Sequence, residues 1–481
     1  MPHAKLFSPL RLGPDCVLPN RVVITAMVTR LSGEDGFVND AILDRYARFA
    51  EGGAGLVVIE AMAVHDYKSG PLLRISHDKF TPGLRDLARR VRAGGNCRVF
   101  PQIIHFLKIA RSGWRQSIHD LSNEDLRLIV RQYADAAERA QAAEFDGVEL
   151  HMAHAYTVSS FLSLRNRRPD EYGGTLENRM RLMTEIIQAV RERVGPRFPV
   201  GVRFDGEEGI TDGYGLTDSR EIALRMARLG TDYVSISAGG KFEDAVKKPG
   251  QAIYPYTGYS GDLCMPPAAY QDAANAYLAK DIKAHLTAHG LATPIVVTGK
   301  IREPALAERI LAAGDADLIG LARTALADPD WPRKARDGRD DRIIRCLCIN
   351  VCKALDENFK TVRCYFWPKT AVAPPRTSDT DPPRWPPQGA RLSLERRPGA
   401  VILRWDRAID NEGVYGYDIL RAEDGGPLRF LWAVRGDMKT QYEDGAAAAG
   451  ARYRYVVRAY DLAGNRSVPS NAVEVEVPLG V

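Results

Sequence analysis

The chain has 481 residues, 45% of them apolar, and a formal net charge of only +5. That length exceeds one ordinary domain and allows a sizeable core, while the near-balanced charge, with no basic run interleaved with aromatics, excludes nucleic acid as an expected partner. No run of about 18 apolar residues exists to span a membrane, and the opening MPHAKLFSPLRLG lacks the apolar segment of a signal peptide, so the expected location is the cytoplasm.

Short apolar runs with strand character recur along the first two thirds of the chain. They are Val22–Thr25, Gly55–Ile59, Val99–Ile104, Gly147–Leu150, Val200–Arg203, Tyr233–Ser237, Ile295–Thr298 and Leu318–Gly320. Amphipathic stretches lie between most of them. In Glu124–Ala143, Leu126, Ile129, Val130, Tyr133, Ala134 and Ala137 keep a spacing of three or four, and Asn178–Val194 is a second such helix. Eight strands alternating with helices predict a (β/α)₈ TIM barrel. A doubly wound sheet would want a G-x-G-x-x-G turn after an early strand, and none is present.

From Thr370 the composition changes. The segment AVAPPRTSDTDPPRWPPQ reads as a proline-rich linker over residues 370–388. Beyond it, over 389–478, helical patterns vanish and strand-like runs follow at sandwich spacing: Ala400–Trp405, Gly416–Ala422, Arg429–Val434, Arg452–Tyr460 and Ala472–Val477. With Trp405 as a core tryptophan, Tyr453 at a tyrosine corner and the run YRYVVRAYDLAGNRSVPSN, this all-β region resembles a fibronectin type III module and is read as a spacer or docking module. Residues 1–369 are then the barrel.

Barrels carry their chemistry at the C-terminal ends of the strands. There the first strand is followed by Ala26, Met27, Val28, Thr29 and Arg30, the third ends in Gln102 and His105, and the fifth carries Arg203. The fourth runs into His151, His154 and Tyr156. A single histidine at a strand end is most often structural; two imidazoles and a phenol within six residues suggest a catalytic loop. Gly299 after strand seven and Arg323 after strand eight fit a phosphate site, Arg as a bidentate partner. A glutamine amide and an arginine at the mouth suit a planar hydrogen-bonding ring. Ring plus phosphate points to FMN.

These residues stand within LFSPLRLG, LPNRVV, QIIH, GVELHMAHAY, FLSLRNRRPDEYGGTLENR, FPVGVR and ADLIGLARTALADP. Together they resemble the old yellow enzyme family of FMN-dependent ene-reductases over about residues 5 to 370. The likeness is greatest to the branch of 2,4-dienoyl-CoA reductase, 2-enoate reductase and trimethylamine dehydrogenase. The resemblance implies an NAD(P)H oxidoreductase that reduces the C=C bond of an α,β-unsaturated carbonyl compound, with an amine dehydrogenase or demethylase as the alternative. It implies that Ala26, Met27 and Val28 border the flavin, Gln102 bonds its pyrimidine edge, and Arg203 stabilises charge at N1 and O2. Gly299, Ala322 and Arg323 would hold the phosphate, His151 and His154 a substrate carbonyl oxygen, and Tyr156 would donate the proton.

Three positions depart from the family pattern. Val28 stands where relatives carry a hydrogen-bonding side chain, Ala322 replaces a glycine before the phosphate arginine, and Ala155 replaces a glycine after the second histidine. The branch also binds a [4Fe–4S] cluster through C-x₂-C-x₃-C-x₁₁-C. Cys348, Cys352 and Cys364 reproduce the last two spacings; the first ligand falls on Arg345, and Cys346 stands one residue later. A cluster on Cys346, Cys348, Cys352 and Cys364 is the expectation, with zinc or four reduced thiols as alternatives. No dinucleotide fingerprint follows the barrel, so either NAD(P)H works directly at the mouth or a separate electron-donor protein works through the cluster. Whether copies assemble into a homo-oligomer is left open.

Overall fold

The computed structural model describes residues 2–67, 70–108, 116–240 and 261–478. The chain forms two compact units. The first comprises Met1–Asp340, Cys348–Tyr365 and Thr370–Pro374; the second comprises Asp341–Leu347, Phe366–Lys369 and Pro375–Val481. Most of the proline-rich segment expected to link two domains therefore lies within the second unit. No helix among the described residues is long and apolar enough to cross a membrane.

The first unit is a closed barrel of eight parallel strands. They are β1 (Val22–Ile24), β2 (Leu56–Ala63), β3 (Arg98–Ile104), β4 (Val148–Met152), β5 (Val200–Asp205), β6 (Tyr233–Ser237), β7 (Ile295–Val297) and β8 (Leu318–Leu321). Their order is sequential, and β8 closes on β1 through Ile319 opposite Val22 and Leu321 opposite Ile24. All eight expected strands are present. Nearly every residue in them is buried, as a parallel sheet covered by helices requires. The helix Asn123–Ala142 starts on a capping box, Ser122 with Asp125. The helix expected over Asn178–Val194 is instead a short turn, Leu176–Arg179, and a helix, Arg181–Val194, with Met180 between them.

A small antiparallel hairpin, Leu10–Leu12 with Cys16–Leu18, precedes the barrel. Its Leu12, Cys16 and Leu18 pack with Val23, Leu56, Phe100, Tyr233, Val296 and Leu318, which lie at or near the starts of their strands. The hairpin thus plugs the N-terminal end in apolar side chains and leaves the other end to polar chemistry.

The second unit is an all-β sandwich. One sheet holds β9 (Ser393–Arg397), β10 (Ala400–Arg404) and β13 (Gln441–Asp444). The other holds β11 (Gly416–Glu423), β12 (Arg429–Arg435), β14 (Arg452–Tyr460) and β15 (Val473–Glu476), in the order β12-β11-β14-β15. Both sheets feed one core containing Leu403, Trp405, Tyr417, Ile419, Tyr455 and Val457. Tyr453 Oη accepts from the backbone N–H of Ala448, 3.0 Å away, as a tyrosine corner does. Trp385 stacks on Tyr417 and donates to the Val468 carbonyl, so the proline-rich segment is packed onto the sandwich there.

Within the barrel, Gly201 lies opposite Tyr233, and a Cβ at Gly201 would sit 2.1 Å from the tyrosine ring. Gly201→Ala forces that ring to move and should cost about 1–3 kcal/mol, read as a lower calorimetric midpoint of the barrel; an unchanged midpoint contradicts this packing.

Candidate active site

A cavity of about 1190 Å³, measured out to the solvent at its mouth, opens at the C-terminal ends of the strands. It is lined by every barrel residue expected at the site: Ala26, Met27, Val28, Gln102, His151, His154, Tyr156, Arg203, Gly299, Ala322 and Arg323. Cys348 also lines it. Cys352 and Cys364 belong to the same unit as the barrel and Cys346 to the other; all four are buried.

At the bottom of the polar layer, Gln102 and Glu149 are register partners on β3 and β4. Gln102 Nε2 donates to Glu149 Oε1 at 2.6 Å, and Tyr233 Oη donates to Glu149 Oε2 at 2.8 Å. Gly201 makes this possible, because its missing side chain leaves room for the Tyr233 ring. The chain Tyr233–Glu149–Gln102 uses one of the glutamine's two N–H groups and fixes the amide, leaving its oxygen as an acceptor for a ligand. Burial pushes the Glu149 carboxyl up, while the Arg203 charge and the two hydrogen bonds pull it down.

Arg203 is buried, yet its guanidinium meets hydroxyls rather than a carboxylate. Nη1 donates to Ser235 Oγ and Nη2 to Ser237 Oγ, both at 3.1 Å. Among the described residues it forms no ion pair. A buried cation without a counter-ion is costly, so the site is complementary to a ligand that carries negative charge there.

Ser237 Oγ also shares a 2.7 Å hydrogen bond with His154 Nε2, and His154 Nδ1 lies 3.1 Å from His151 Nε2. The Ala153 N–H donates to His151 Nδ1 at 3.3 Å, which puts the His151 proton on Nε2, facing His154. Burial and then the Arg203 charge push the His151 imidazole down to about 3. The two rings stand 5.0 Å apart, and Tyr156 packs edge-on to His151 at 5.2 Å. The loop is held from both sides. His105 shares a 2.8 Å hydrogen bond with Thr157 Oγ1, and the His154 N–H donates to the buried Asp205. His105 itself does not line the cavity; it fixes the helix Thr157–Leu162 that follows Tyr156. His154 and Ala155 have φ of 63° and 60°, in the left-handed region. Alanine in place of glycine at 155 is therefore a strained choice, costing roughly 1–2 kcal/mol, rather than the neutral replacement its size suggests.

At the other end, Gly299 adopts φ 103°, and a Cβ there would approach Asn275 to 2.9 Å. A Cβ at Gly320 would meet Thr298 at 2.6 Å. Arg323 is buried and donates to the Pro266 carbonyl and to Asn350 Oδ1, again neutral acceptors. Two lysines not singled out from sequence, Lys300 and Lys353, line the same cavity and donate to backbone carbonyls, Lys300 to Ala268 and Tyr270, and Lys353 to Gly261. Burial lowers the pKa of both. Thr29, the alternative to Val28, is turned away: its hydroxyl and N–H both bond Glu60, at 2.6 and 2.7 Å. Val28 faces the cavity in its place.

A sequence profile of the NADH:flavin oxidoreductase / NADH oxidase family matches residues 105–342. The NADPH dehydrogenase of Bacillus licheniformis is 32% identical over 359 residues, covering 70% of this chain and 95% of that protein. The chain belongs to this family. The NADH oxidase of Thermoanaerobacter brockii is 34% identical over 368 residues, 72% of this chain and 53% of that protein. The cinnamate reductase of Clostridium sporogenes is 28% identical over 392 residues, 75% of this chain and 57% of that protein. The chain thus spans little more than half of these two longer relatives. Among solved structures, 2-naphthoyl-CoA reductase in complex with 2-naphthoyl-CoA superposes with a TM-score of 0.66 at 23% identity, covering 75% of this chain and 56% of that one. Histamine dehydrogenase from Rhizobium sp. 4-9 gives 0.63 at 25%, covering 75% and 52%.

A neutral His151 and His105, the latter pushed down to about 3 by burial, should not titrate between about pH 5 and pH 8. Long-range ¹H–¹⁵N spectra check this, and an inflection near 6.5 for either ring contradicts it. Below about pH 6.5 the unfolded chain binds protons that these two rings refuse. Each therefore removes stability as pH falls from about 6.5 toward 3.

Proposed function

We propose that the barrel binds FMN and reduces the activated C=C bond of an α,β-unsaturated carbonyl compound (an enone, enoate or enoyl thioester) with NAD(P)H as reductant. The observation that carries this reading is the convergence of His151, His154 and Tyr156 on the cavity that also holds Gln102 and the uncompensated charge of Arg203. The residues present fit the cofactor. Gln102 offers an amide oxygen to a ring imide, Arg203 offers positive charge to the adjoining edge, and Gly299, Ala322 and Arg323 line the end suited to phosphate. Bound FMN supplies hydride transfer, accepting from the nicotinamide and giving to the β-carbon of the alkene. Val28 offers the ring no hydrogen bond, so tuning of its potential falls to Arg203 and Gln102.

The chain's own part is to manage charge and a proton. As hydride arrives at the β-carbon, negative charge builds on the substrate carbonyl oxygen. An oxygen seated between the histidines takes the Nε2–H of His151. It gains a second donor when His154 carries its proton on Nδ1, with Ser237 then donating to Nε2. Preorganised N–H donors on a developing oxyanion lower the barrier. Tyr156, half-buried beside His151, gives its phenolic proton to the α-carbon and regains one from solvent.

An amine dehydrogenase on the same barrel is the competing reading, supported by the likeness to histamine dehydrogenase. The electrostatics weigh against it. Among the described residues the cavity lining holds Arg203, Lys300, Arg323 and Lys353 but only one carboxylate, Asp356, which is bonded to Arg30. That balance suits a carbonyl, acid or thioester better than an ammonium. Cys348, Cys352 and Cys364, buried in one unit, would supply three ligands of an iron–sulfur cluster that admits electrons from a donor protein; their spacing and burial support it. The strand order of the second unit supports its reading as a fibronectin type III-like module.

Tyr156→Phe should keep the flavin spectrum and the rate of reduction by NAD(P)H, while slowing reoxidation by an enone such as cyclohexenone about 10²–10⁴-fold. Stopped-flow absorbance reads both half-reactions. Loss of flavin in the variant returns Tyr156 to a structural role; reduction of the oxidised wild type by amines, with no reoxidation by enones, overturns the ene-reductase reading. Anaerobically purified protein should also contain iron and acid-labile sulfide, and their absence removes the cluster.

A further inference from the structure

The sandwich unit carries three carboxylates that no basic side chain among the described residues neutralises. Asp379, Asp410 and Asp461 each place an oxygen such that all three lie within 4.8 Å of one another. They come from separate parts of the chain: the segment before β9, the connection from β10 to β11, and the residue directly after β14. Among the described residues none of the three is ion-paired to Lys, Arg or His. Both oxygens of Asp461 accept from Asn465, whereas Asp379 and Asp410 each use one oxygen only. Asp381 N–H and Asn411 Nδ2 donate to Asp379 Oδ1, and Glu412 and Gly413 N–H donate to Asp410 Oδ1. Oδ2 of Asp379 and Oδ2 of Asp410 are enclosed and receive no donor.

An independent observation comes from Asn465, which is 1% exposed. Its Nδ2 donates to Asp461 Oδ2 at 2.6 Å and to the Asp379 carbonyl at 3.1 Å, which fixes the amide orientation and seats it among the carboxylates. Its Oδ1 is enclosed and has no donor at all. Exchanging oxygen and nitrogen does not help, because the oxygen would then face two acceptors. Buried acceptors are almost always satisfied. Here three of them, on Asp379, Asp410 and Asn465, gather around mutually repelling charges.

The group that satisfies all of these atoms is a cation. The donors are all oxygen, which selects a hard ion over zinc or copper. Ligands on opposite sides of Ca²⁺, each at about 2.4 Å, stand about 4.8 Å apart, so the three carboxylate oxygens fit one coordination sphere. Mg²⁺ demands a near-ideal octahedron at about 2.1 Å and keeps its water, which suits a mixed carboxylate and amide set less well. We propose that the sandwich unit binds a structural calcium ion on Asp379, Asp410 and Asp461, with Asn465 Oδ1 as a fourth ligand. The ion would tie the proline-rich segment to two loops of the sandwich.

The test uses the full chain, stripped with EDTA and dialysed against CaCl₂. One calcium per chain is expected by atomic absorption, with the calorimetric transition of the sandwich rising by about 4–8 °C or more and falling back on chelation. Asp410→Asn, at a partly exposed position, should abolish both while keeping the far-UV circular dichroism. Because it also removes a repulsion, it should raise the midpoint of the calcium-free protein. Asp461→Asn should likewise abolish binding. Absence of bound calcium at millimolar CaCl₂, retention of binding in both variants, or stoichiometric binding of MgCl₂ with none of CaCl₂ overturns the proposal.

Discussion

The polar groups on β3 to β6 at the mouth of the barrel are arranged around one positive charge that has no ion-pair partner among the described residues. Arg203 sits inside the ring of strands with serine hydroxyls for company. Its field reaches Glu149, which it helps to ionise, and His151, which it helps to keep neutral. A carboxylate beside it would have made a stable, inert ion pair. Its absence leaves the charge available, and the surrounding groups are graded to tolerate that: the neutral His151 imidazole on one side, a glutamine held by Glu149 on the other.

Such an arrangement is affordable only because the rest of the barrel is apolar and tightly closed. The hairpin Leu10–Leu12 and Cys16–Leu18 seals one end, so water reaches the charged layer from the other end alone. Between plug and mouth, a single missing side chain at Gly201 lets Tyr233 lie across the lumen and orient Glu149. Packing at one level thereby sets hydrogen bonding at the next. The strands carry these groups on rigid backbone, whereas His154 and Ala155, in left-handed conformation, let the loop after β4 turn sharply over them.

The barrel was largely legible because its strands are continuous apolar runs and its helices amphipathic, and those patterns arise from burial alone. The elements that escaped were short or polar. The plug has three-residue strands, β9 reads Ser-Leu-Glu-Arg-Arg, and β13 reads Gln-Tyr-Glu-Asp, so alternation is masked by exposed edges. At the site, His151, His154 and Tyr156 stood together in sequence and were found together. Lys300 and Lys353 are brought to the same cavity by the fold, and nothing local marks them. Glu149 did leave a signal: a carboxylate within the otherwise buried run Val-Glu-Leu-His-Met of β4, which only a partner across the lumen could explain. The acidic group of the sandwich had no such mark, its members being ordinary loop aspartates until three segments meet.

The plug has a further consequence for how the chain reaches this state. Leu12 and Leu18 precede β1, yet they pack against Leu318 at the start of β8, and β1 itself pairs with β8. The first and last thirds of the barrel must meet before either finishes burying its apolar surface. Contacts of such sequence separation are slow to form, because loop-closure entropy is spent before they repay it. On a ribosome, the N-terminal strands therefore wait, exposed, until Leu318–Leu321 has emerged. The stretch of synthesis between Val22 and Leu318 is the interval in which this chain is most open to aggregation and most in need of a chaperone.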